Sequence, residues 1–213
     1  IPFKKKYFKS TLKKIEKYLG KEKDVLEIGS YYGIFGSLIN PHVKSYIGLE
    51  LSRHAVDYAK KEYSLNFVNK TIEEYINEIN NVDIVLMSHV IEHLDKPFEN
   101  IQSIANKMSK SSVLIFSTYN MDSLIAKVLG KNYQWIMPMH KYYFTKKVLK
   151  NILGKYNLEI VETISDTHII SMKYFFIIIN AIIPFLVFLT KLLMVIKFFI
   201  ILNIIINLGD LVI

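Results

Sequence analysis

VLEIGSYYGIFGSL at residues 25–38 is followed by SYIGLE at residues 45–50. The first run opens as a short apolar strand, Val25 to Ile28, carrying an acid at Glu27. A turn containing Gly29 and Gly33 follows, and then a helix begins. The second run is another strand and ends on Glu50, 21 residues after Gly29, the reach of one strand–helix–strand unit. A parallel strand running into a helix leaves a crevice at its carboxyl end. Glycine in the turn permits positive φ and close approach of a ligand to the backbone, and the first N–H groups of the helix face that crevice. An acid closing the next strand suits the two hydroxyls of a ribose. The pattern therefore predicts a site for a nucleoside-like cofactor.

The glycine spacing is not that of a dinucleotide site. Tyr31 stands where a second glycine lets a pyrophosphate approach, and Glu27 repels phosphate while suiting a cationic, amino-acid-like ligand. Both features argue against NAD or FAD. A hydride-transferring dehydrogenase is disfavoured for the same reason.

Three segments, VLEIGSYYG, IGLELS and VDIVLMSHVIEHLDKP, resemble the class I S-adenosylmethionine-dependent methyltransferases over about residues 24–165. The HVIEHL run is similar to that of the subgroup acting on small molecules, quinones and cell-surface sugars. The resemblance implies a Rossmann-like three-layer α/β/α fold with a mostly parallel seven-stranded sheet. It implies S-adenosyl-L-methionine as cofactor, with Glu27, Gly29, Ser30 and Gly33 around its methionine part, Glu50 on the ribose hydroxyls and Leu51 beside the adenine. Ser88 and His89, after the fourth strand, would also line that pocket. Asn69 stands where an acid meeting the adenine amine is common, and Thr71 with Ile72 would then cover that edge.

The segments alternate strand and helix, which predicts a sheet covered on both faces. Strands are expected near 24–28, 45–50, 65–68, 82–87, 112–117 and 157–164. Helices are expected near 3–19, 34–39, 53–63, 71–78, 97–108, 121–129 and 145–154, with Ser52 and Thr145 as caps and Pro97 in a first turn. Four parts follow: a basic amphipathic helix over 1–23, the cofactor-binding domain over 24–172, a hydrophobic helical segment over 173–208, and the start of a final strand over 209–213.

The net charge is +8 in 213 residues, and residues 1–23 hold nine Lys against two Glu. Phe3, Tyr7, Phe8, Leu12, Ile15 and Leu19 fall on one helical face. This helix either meets an anionic membrane surface or packs on the sheet ahead of the first strand. Nucleic-acid binding fits less well, because the aromatics are not interleaved on a basic sheet face. Cysteine is absent, which removes disulfide and thiolate chemistry. The six histidines are scattered, and no metal is expected. The chain starts on Ile1 without Met and stops after an apolar run, as a fragment would.

Tyr174 to Leu208 carries only two charges, Lys191 and Lys197, and is interrupted by Pro184. A bilayer takes about 20 apolar residues, so each half of this run is marginal alone. A shallow hairpin, one long tilted helix, an interfacial pair and internal packing all remain open. NLGDLVI, from Asn207, resembles the start of the last, antiparallel strand of the family. That would return the chain to the side it left, so the expected location is the cytoplasmic face of a membrane.

Transfer of a methyl group from a sulfonium needs alignment and exclusion of water, and a hydroxyl acceptor also needs a base. His89, His93 and His140 are the candidate catalytic residues. Each has a second reading: His89 lines the cofactor pocket, His93 fixes its loop, and His140 caps a turn. His89, Glu92 and His93 together resemble a metal site weakly. YQWIMPMHKYYF, residues 133–144, is where the family builds its acceptor pocket, and Trp135, Tyr142 and Tyr143 there suit a sugar or a flat ring. The leading expectation is O-methylation of a membrane-associated or cell-surface glycan precursor. The alternatives are a quinone or lipid methyltransferase and a non-catalytic membrane adaptor retaining the fold.

Overall fold

The computed structural model describes residues 2–170, residue 178 and residues 204–212. Helix α1 (Pro2–Ile15) precedes β1 (Asp24–Ile28), α2 (Ile34–Ile39), β2 (Ser45–Leu49), α3 (Arg53–Tyr63) and β3 (Phe67–Val68). Then come α4 (Ile72–Tyr75), β4 (Val82–Ser88), α5 (Pro97–Ala105), β5 (Met108–Tyr119), α6 (Leu124–Leu129), α7 (Lys146–Lys155), β6 (Ile164–Ile170) and β7 (Ile204–Val212). One seven-stranded sheet runs β3-β2-β1-β4-β5-β7-β6. The first five strands in that order are parallel, and β7 pairs antiparallel with both β5 and β6. This is the expected Rossmann-like α/β arrangement.

Strand alternation explains why both faces are covered. Side chains along a strand point to opposite faces. On β1, Leu26 and Ile28 join one buried cluster and Val25 the other; on β4, Val85 and Met87 join the first while Ile84 and Leu86 join the second. The first cluster is closed by Ile101 and Ile104 of α5 and by Leu149 and Leu153 of α7. The second is closed by Phe35 and Ile39 of α2 and by Val56 and Ala59 of α3. Strands buried on both faces read as continuous apolar runs, as VLEI and VDIVLM do.

Helix α1 packs on this second cluster through Phe8, Leu12 and Ile15, and the Phe8 and Phe35 rings stack with centroids 4.9 Å apart. Its apolar stripe is thus an internal surface, while Lys5, Lys6, Lys9 and Lys13 stay exposed. The expected caps are in place: the Ser52 and Thr145 side chains accept from the N–H groups of Ala55 and Val148.

Several boundaries differ from the sequence reading: α5 ends at Ala105 where 108 was expected, α6 begins at Leu124 where 121 was expected, and β3 begins at Phe67 where 65 was expected. The sixth strand begins at Ile164, where 157–164 was expected to end; Leu158 and Ile160 instead pack against the first cluster outside any strand. β5 begins four residues early, at Met108, because Ser109 and Ser112 bond to one another and Ser112 Oγ donates to the Val82 carbonyl, closing an irregular start to the pairing with β4. The last strand begins at Ile204, so residues 204–208 are strand and do not belong to a helical segment.

The rest of the apolar run, including residues 179–203, lies outside the described residues. Ile178 is buried against Ala126, Leu129 and Tyr133. Among the described residues no helix is long and apolar enough to cross a membrane.

Candidate functional site

The strand order reverses between β1 and β4, and open α/β sheets bind ligands at the carboxyl ends of strands where that happens. A cavity of about 780 Å³ lies there, lined by the turn after β1, by Glu50 and Leu51, by residues 70–73 and by the loop after β4. Tyr7 and Phe8 of α1 form another part of the wall.

The turn after β1 is built by Gly29 and Gly33, at φ 74° and 75°. A Cβ on Gly29 would lie 2.4 Å from Val90 Cγ2, so the β1 turn and the β4 loop touch because this residue has no side chain. Ser30 Oγ donates to the Glu27 carbonyl at 2.8 Å and closes the turn from inside. Tyr31 takes a left-handed conformation, φ 49°, although it is not glycine, and its N–H donates to Glu50 Oε2 at 2.8 Å. The amide that a diphosphate would need is therefore already bonded to a carboxylate.

The other Glu50 oxygen, Oε1, accepts from the Ser52 N–H at 2.8 Å. Asn69 Nδ2 donates to the carbonyls of Glu50 and Leu51, at 2.9 and 2.8 Å, so the residue that departs from the usual acid braces the acid-bearing loop. Thr71 forms a capping box with Glu74: its hydroxyl accepts from the Glu74 N–H, and its own N–H donates to Glu74 Oε2. Leu51 and Tyr31 are apolar faces left open to the cavity, 67% and 50% exposed.

Glu27 is buried, and Tyr46 Oη donates a hydrogen bond to its carboxylate. Burial lifts its carboxyl to about 7, against the pull of the Tyr46 hydrogen bond, with the charge of Glu50 adding to the rise. A cation entering the cavity would favour its ionised form.

Of the residues expected at the cofactor, Glu27, Gly29, Ser30, Glu50, Leu51, Thr71, Ile72, Ser88 and His89 lie on the cavity wall. Gly33 sits behind it, where a Cβ would meet Ala59 Cβ at 2.9 Å, and so serves the packing of α2 on α3. The site fits S-adenosylmethionine on three observations. A glycine cradle would be filled by a Cβ at Gly29. A carboxylate at Glu50 is oriented by two backbone donors. Four acids, Glu27, Glu50, Glu73 and Asp95, line a cleft that suits a cation.

The three histidines gather at the other end of the cleft. His89 also has positive φ, 53°, and its N–H donates to the Ser117 carbonyl and hydroxyl at 3.1 and 3.2 Å. Its ring stacks on Tyr119 at 4.6 Å, and Tyr7 Oη lies 3.5 Å from its Nε2. His93 is on the cavity wall and donates Nδ1–H to the Met139 carbonyl at 3.0 Å. His140 is buried, donates Nδ1–H to the Trp135 carbonyl at 2.7 Å, and has its pKa lowered chiefly by burial. The rings of His93 and His140 are 4.7 Å apart. Trp135 and Tyr119 stack at 4.4 Å and both line the cavity.

Sequence reading did not find Tyr7, Phe8 or Tyr119 on the wall. The signal for the first two was the apolar stripe of α1. Tyr119 ends a strand and carried no separate signal.

Comparison with known proteins gives the family and the fold. Residues 3–163 match the family described as methyltransferase domain. The ubiquinone biosynthesis O-methyltransferase of Coxiella burnetii is 25% identical over 130 residues, covering 57% of this chain and 56% of that protein. The chain thus spans about half the length of the curated relatives it matches. Among solved structures, a SAM-dependent methyltransferase from Archaeoglobus fulgidus superposes with a TM-score of 0.67 at 22% identity, covering 99% of this chain and 94% of that one. The magnesium protoporphyrin IX methyltransferase of Synechocystis PCC 6803, with bound SAH, gives 0.59 at 17% identity, covering 76% of each chain. At these identities the structural likeness speaks for the fold.

Proposed function

From the premise that the chain belongs to the methyltransferase domain family, which its match over residues 3–163 shows, we propose that it is an S-adenosylmethionine-dependent O-methyltransferase acting on a membrane-borne hydroxyl acceptor. One observation carries the choice of a hydroxyl. The wall of the cleft that holds Glu50 also carries His89 and His93, with His140 behind them. When bound, S-adenosylmethionine supplies a sulfonium-activated methyl group. Glu50, held by the Tyr31 and Ser52 amides, offers its remaining lone pairs to the ribose hydroxyls, and Leu51 covers the adenine. Phe8 and Tyr7 close the cleft on the α1 side and exclude water. An imidazole, that of His89, takes the proton of the acceptor hydroxyl, general-base work worth about 10²–10⁴ in rate.

The acceptor end is walled by Trp135 and Tyr119, flat faces suited to an aromatic ring. This wall and the likeness to ubiquinone biosynthesis enzymes favour a quinol-type acceptor. A sugar on a lipid carrier is the second reading, favoured by the same aromatic platform and by the apolar run after residue 173. Either carrier places the chain at the cytoplasmic face of a membrane, a reading supported by that run and by the exposed lysines of α1.

Calorimetric titration of the detergent-solubilised chain with S-adenosylmethionine, and separately with NAD, tests the cofactor. Micromolar affinity for the first alone is expected, and absence of binding would favour a non-catalytic adaptor. Incubation with methyl-labelled cofactor and extracted membranes tests the acceptor. Label in quinone or lipid fractions supports the first reading, label in lipid-linked glycan supports the second, and label on nitrogen in place of oxygen would refute the hydroxyl assignment.

A further inference from the structure

We propose that Glu92, His93 and His140 bind a divalent transition-metal ion of the zinc class at the acceptor end of the cleft. Each residue presents one ligand atom, and these atoms lie within 4.8 Å of one another. In a tetrahedral site with bonds of about 2.0–2.1 Å, ligand atoms sit about 3.4 Å apart, so the set closes on an ion by a contraction of about 1.5 Å at most.

Three independent features prepare these atoms for an ion. First, the protons of both imidazoles are assigned. His93 Nδ1 and His140 Nδ1 lie 3.0 and 2.7 Å from the carbonyls of Met139 and Trp135. A carbonyl only accepts, so each Nδ1 carries the hydrogen and each Nε2 keeps a lone pair, the arrangement in which histidine commonly binds metal. Second, Glu92 is 1% exposed, and neither of its carboxylate oxygens accepts a hydrogen bond from the described residues. His89 Nδ1 lies 3.4 Å from Oε1. Burying a carboxylate without donors costs several kcal/mol, and a bound cation removes that cost. Third, the two loops are tied together: the Glu92 carbonyl accepts from the N–H groups of Lys141 and Tyr142 at 2.8 and 3.2 Å. The third ligand is therefore delivered by backbone bonding beside the other two.

Two imidazoles and one carboxylate select zinc-like and other transition ions over magnesium or calcium, which prefer all-oxygen shells. Three protein ligands leave a fourth position open. Of the three ligands His93 lines the cavity, so the site adjoins the cleft. The function of the ion rests on the O-methylation reading: a hydroxyl bound at the open position loses its proton at lower pH than a free one. Metal binding itself does not depend on that reading.

The test uses the full detergent-solubilised chain, stripped with chelator and titrated with Zn²⁺ alone and with Co²⁺ alone. One ion per chain at micromolar affinity is expected, with the visible absorption of four-coordinate Co²⁺. His140→Ala and Glu92→Gln should each weaken Zn²⁺ binding at least tenfold. S-adenosylmethionine affinity, measured on the same samples, reports that the variants are folded, and His93→Gln supplies a third, more conservative variant. No stoichiometric ion in a chain that still binds S-adenosylmethionine would overturn the proposal. Undiminished Zn²⁺ affinity in the folded variants would overturn the ligand assignment. Stoichiometric binding lost in the variants, in a chain that methylates no hydroxyl, would leave the metal site standing and remove the O-methylation reading alone.

Discussion

At the scale of single residues, two carboxylates in one cleft have opposite environments and opposite consequences. Glu50 is oriented by two amide donors and open to ligand. Charge-assisted hydrogen bonds contribute about 1.5–3 kcal/mol each, so losing two to a ribose predicts at least a 100-fold weaker S-adenosylmethionine affinity for Glu50→Ala by calorimetry. Unchanged affinity would remove Glu50 from the ribose.

Glu27 is buried, with its pKa lifted from 4.5 to about 7 by loss of water. As pH rises between these values, the unfolded chain releases a proton that the folded chain keeps. The stability tied to this group is full below about 4.5 and falls as pH approaches 7, by about 3 kcal/mol in all. Urea midpoints at pH 5 and 7.5 should separate in the native chain and converge in Glu27→Gln, whose amide oxygen still accepts from Tyr46. An equal separation in both would place the pH dependence elsewhere. Binding of the cationic cofactor should also expel protons near neutral pH, because it favours the ionised form of the Glu27 carboxyl. Calorimetry in buffers of different ionisation heat reads this directly. Both acids were visible in the sequence. The lifted pKa was not, since it comes from burial produced by tertiary packing, against the pull of the Tyr46 hydrogen bond.

At the scale of elements, the site exists because the β1 turn and the β4 loop touch at Gly29 and Val90. Alanine at 29 would meet both a left-handed φ of 74° and the Val90 methyl at 2.4 Å. The conformation alone costs about 1–2 kcal/mol. Gly29→Ala should therefore lower the melting temperature by several degrees. In a double-mutant cycle, Val90→Ala should recover about 1 kcal/mol of the loss. Zero coupling would mean the two loops do not meet there.

The same scale shows where the sequence was readable. β1, β2, α2 and α3 were placed within a residue because apolar runs, glycines and the Ser52 cap mark them locally. β5 started early because side-chain bonds among Ser109, Ser111 and Ser112 extend a strand through residues that read as a loop. β6 was displaced because LEIVETI alternates like a strand, yet ladder partners on β7 begin only opposite Ile164. Pairing with a distant strand, and the meeting of His140 with His93, are tertiary events that no local pattern records.

At the scale of the whole molecule, α1 lies between the cleft and the solvent. Its inner face supplies Tyr7 and Phe8 to the cleft wall, and its outer face exposes Lys5, Lys6, Lys9 and Lys13. A lysine near an anionic bilayer contributes about 1 kcal/mol, screened within a Debye length of about 8 Å at physiological salt. Attraction through this face would bring the cleft mouth toward the membrane, where a lipid-borne acceptor resides.

Vesicle flotation separates this attraction from the apolar run. Binding through α1 should require anionic lipid, fall steeply with added salt, and be lost when the four lysines become glutamate. Binding through the apolar run should persist on neutral vesicles in high salt and in that variant. If neither vesicle type retains the chain, the membrane-borne acceptor fails, while the cofactor site is untouched. If anionic vesicles also raise S-adenosylmethionine affinity, linkage requires the cofactor to strengthen vesicle binding by the same factor. α1 would then be the element both ligands share, since it touches the cleft through Tyr7 and Phe8 and exposes its lysines to solvent.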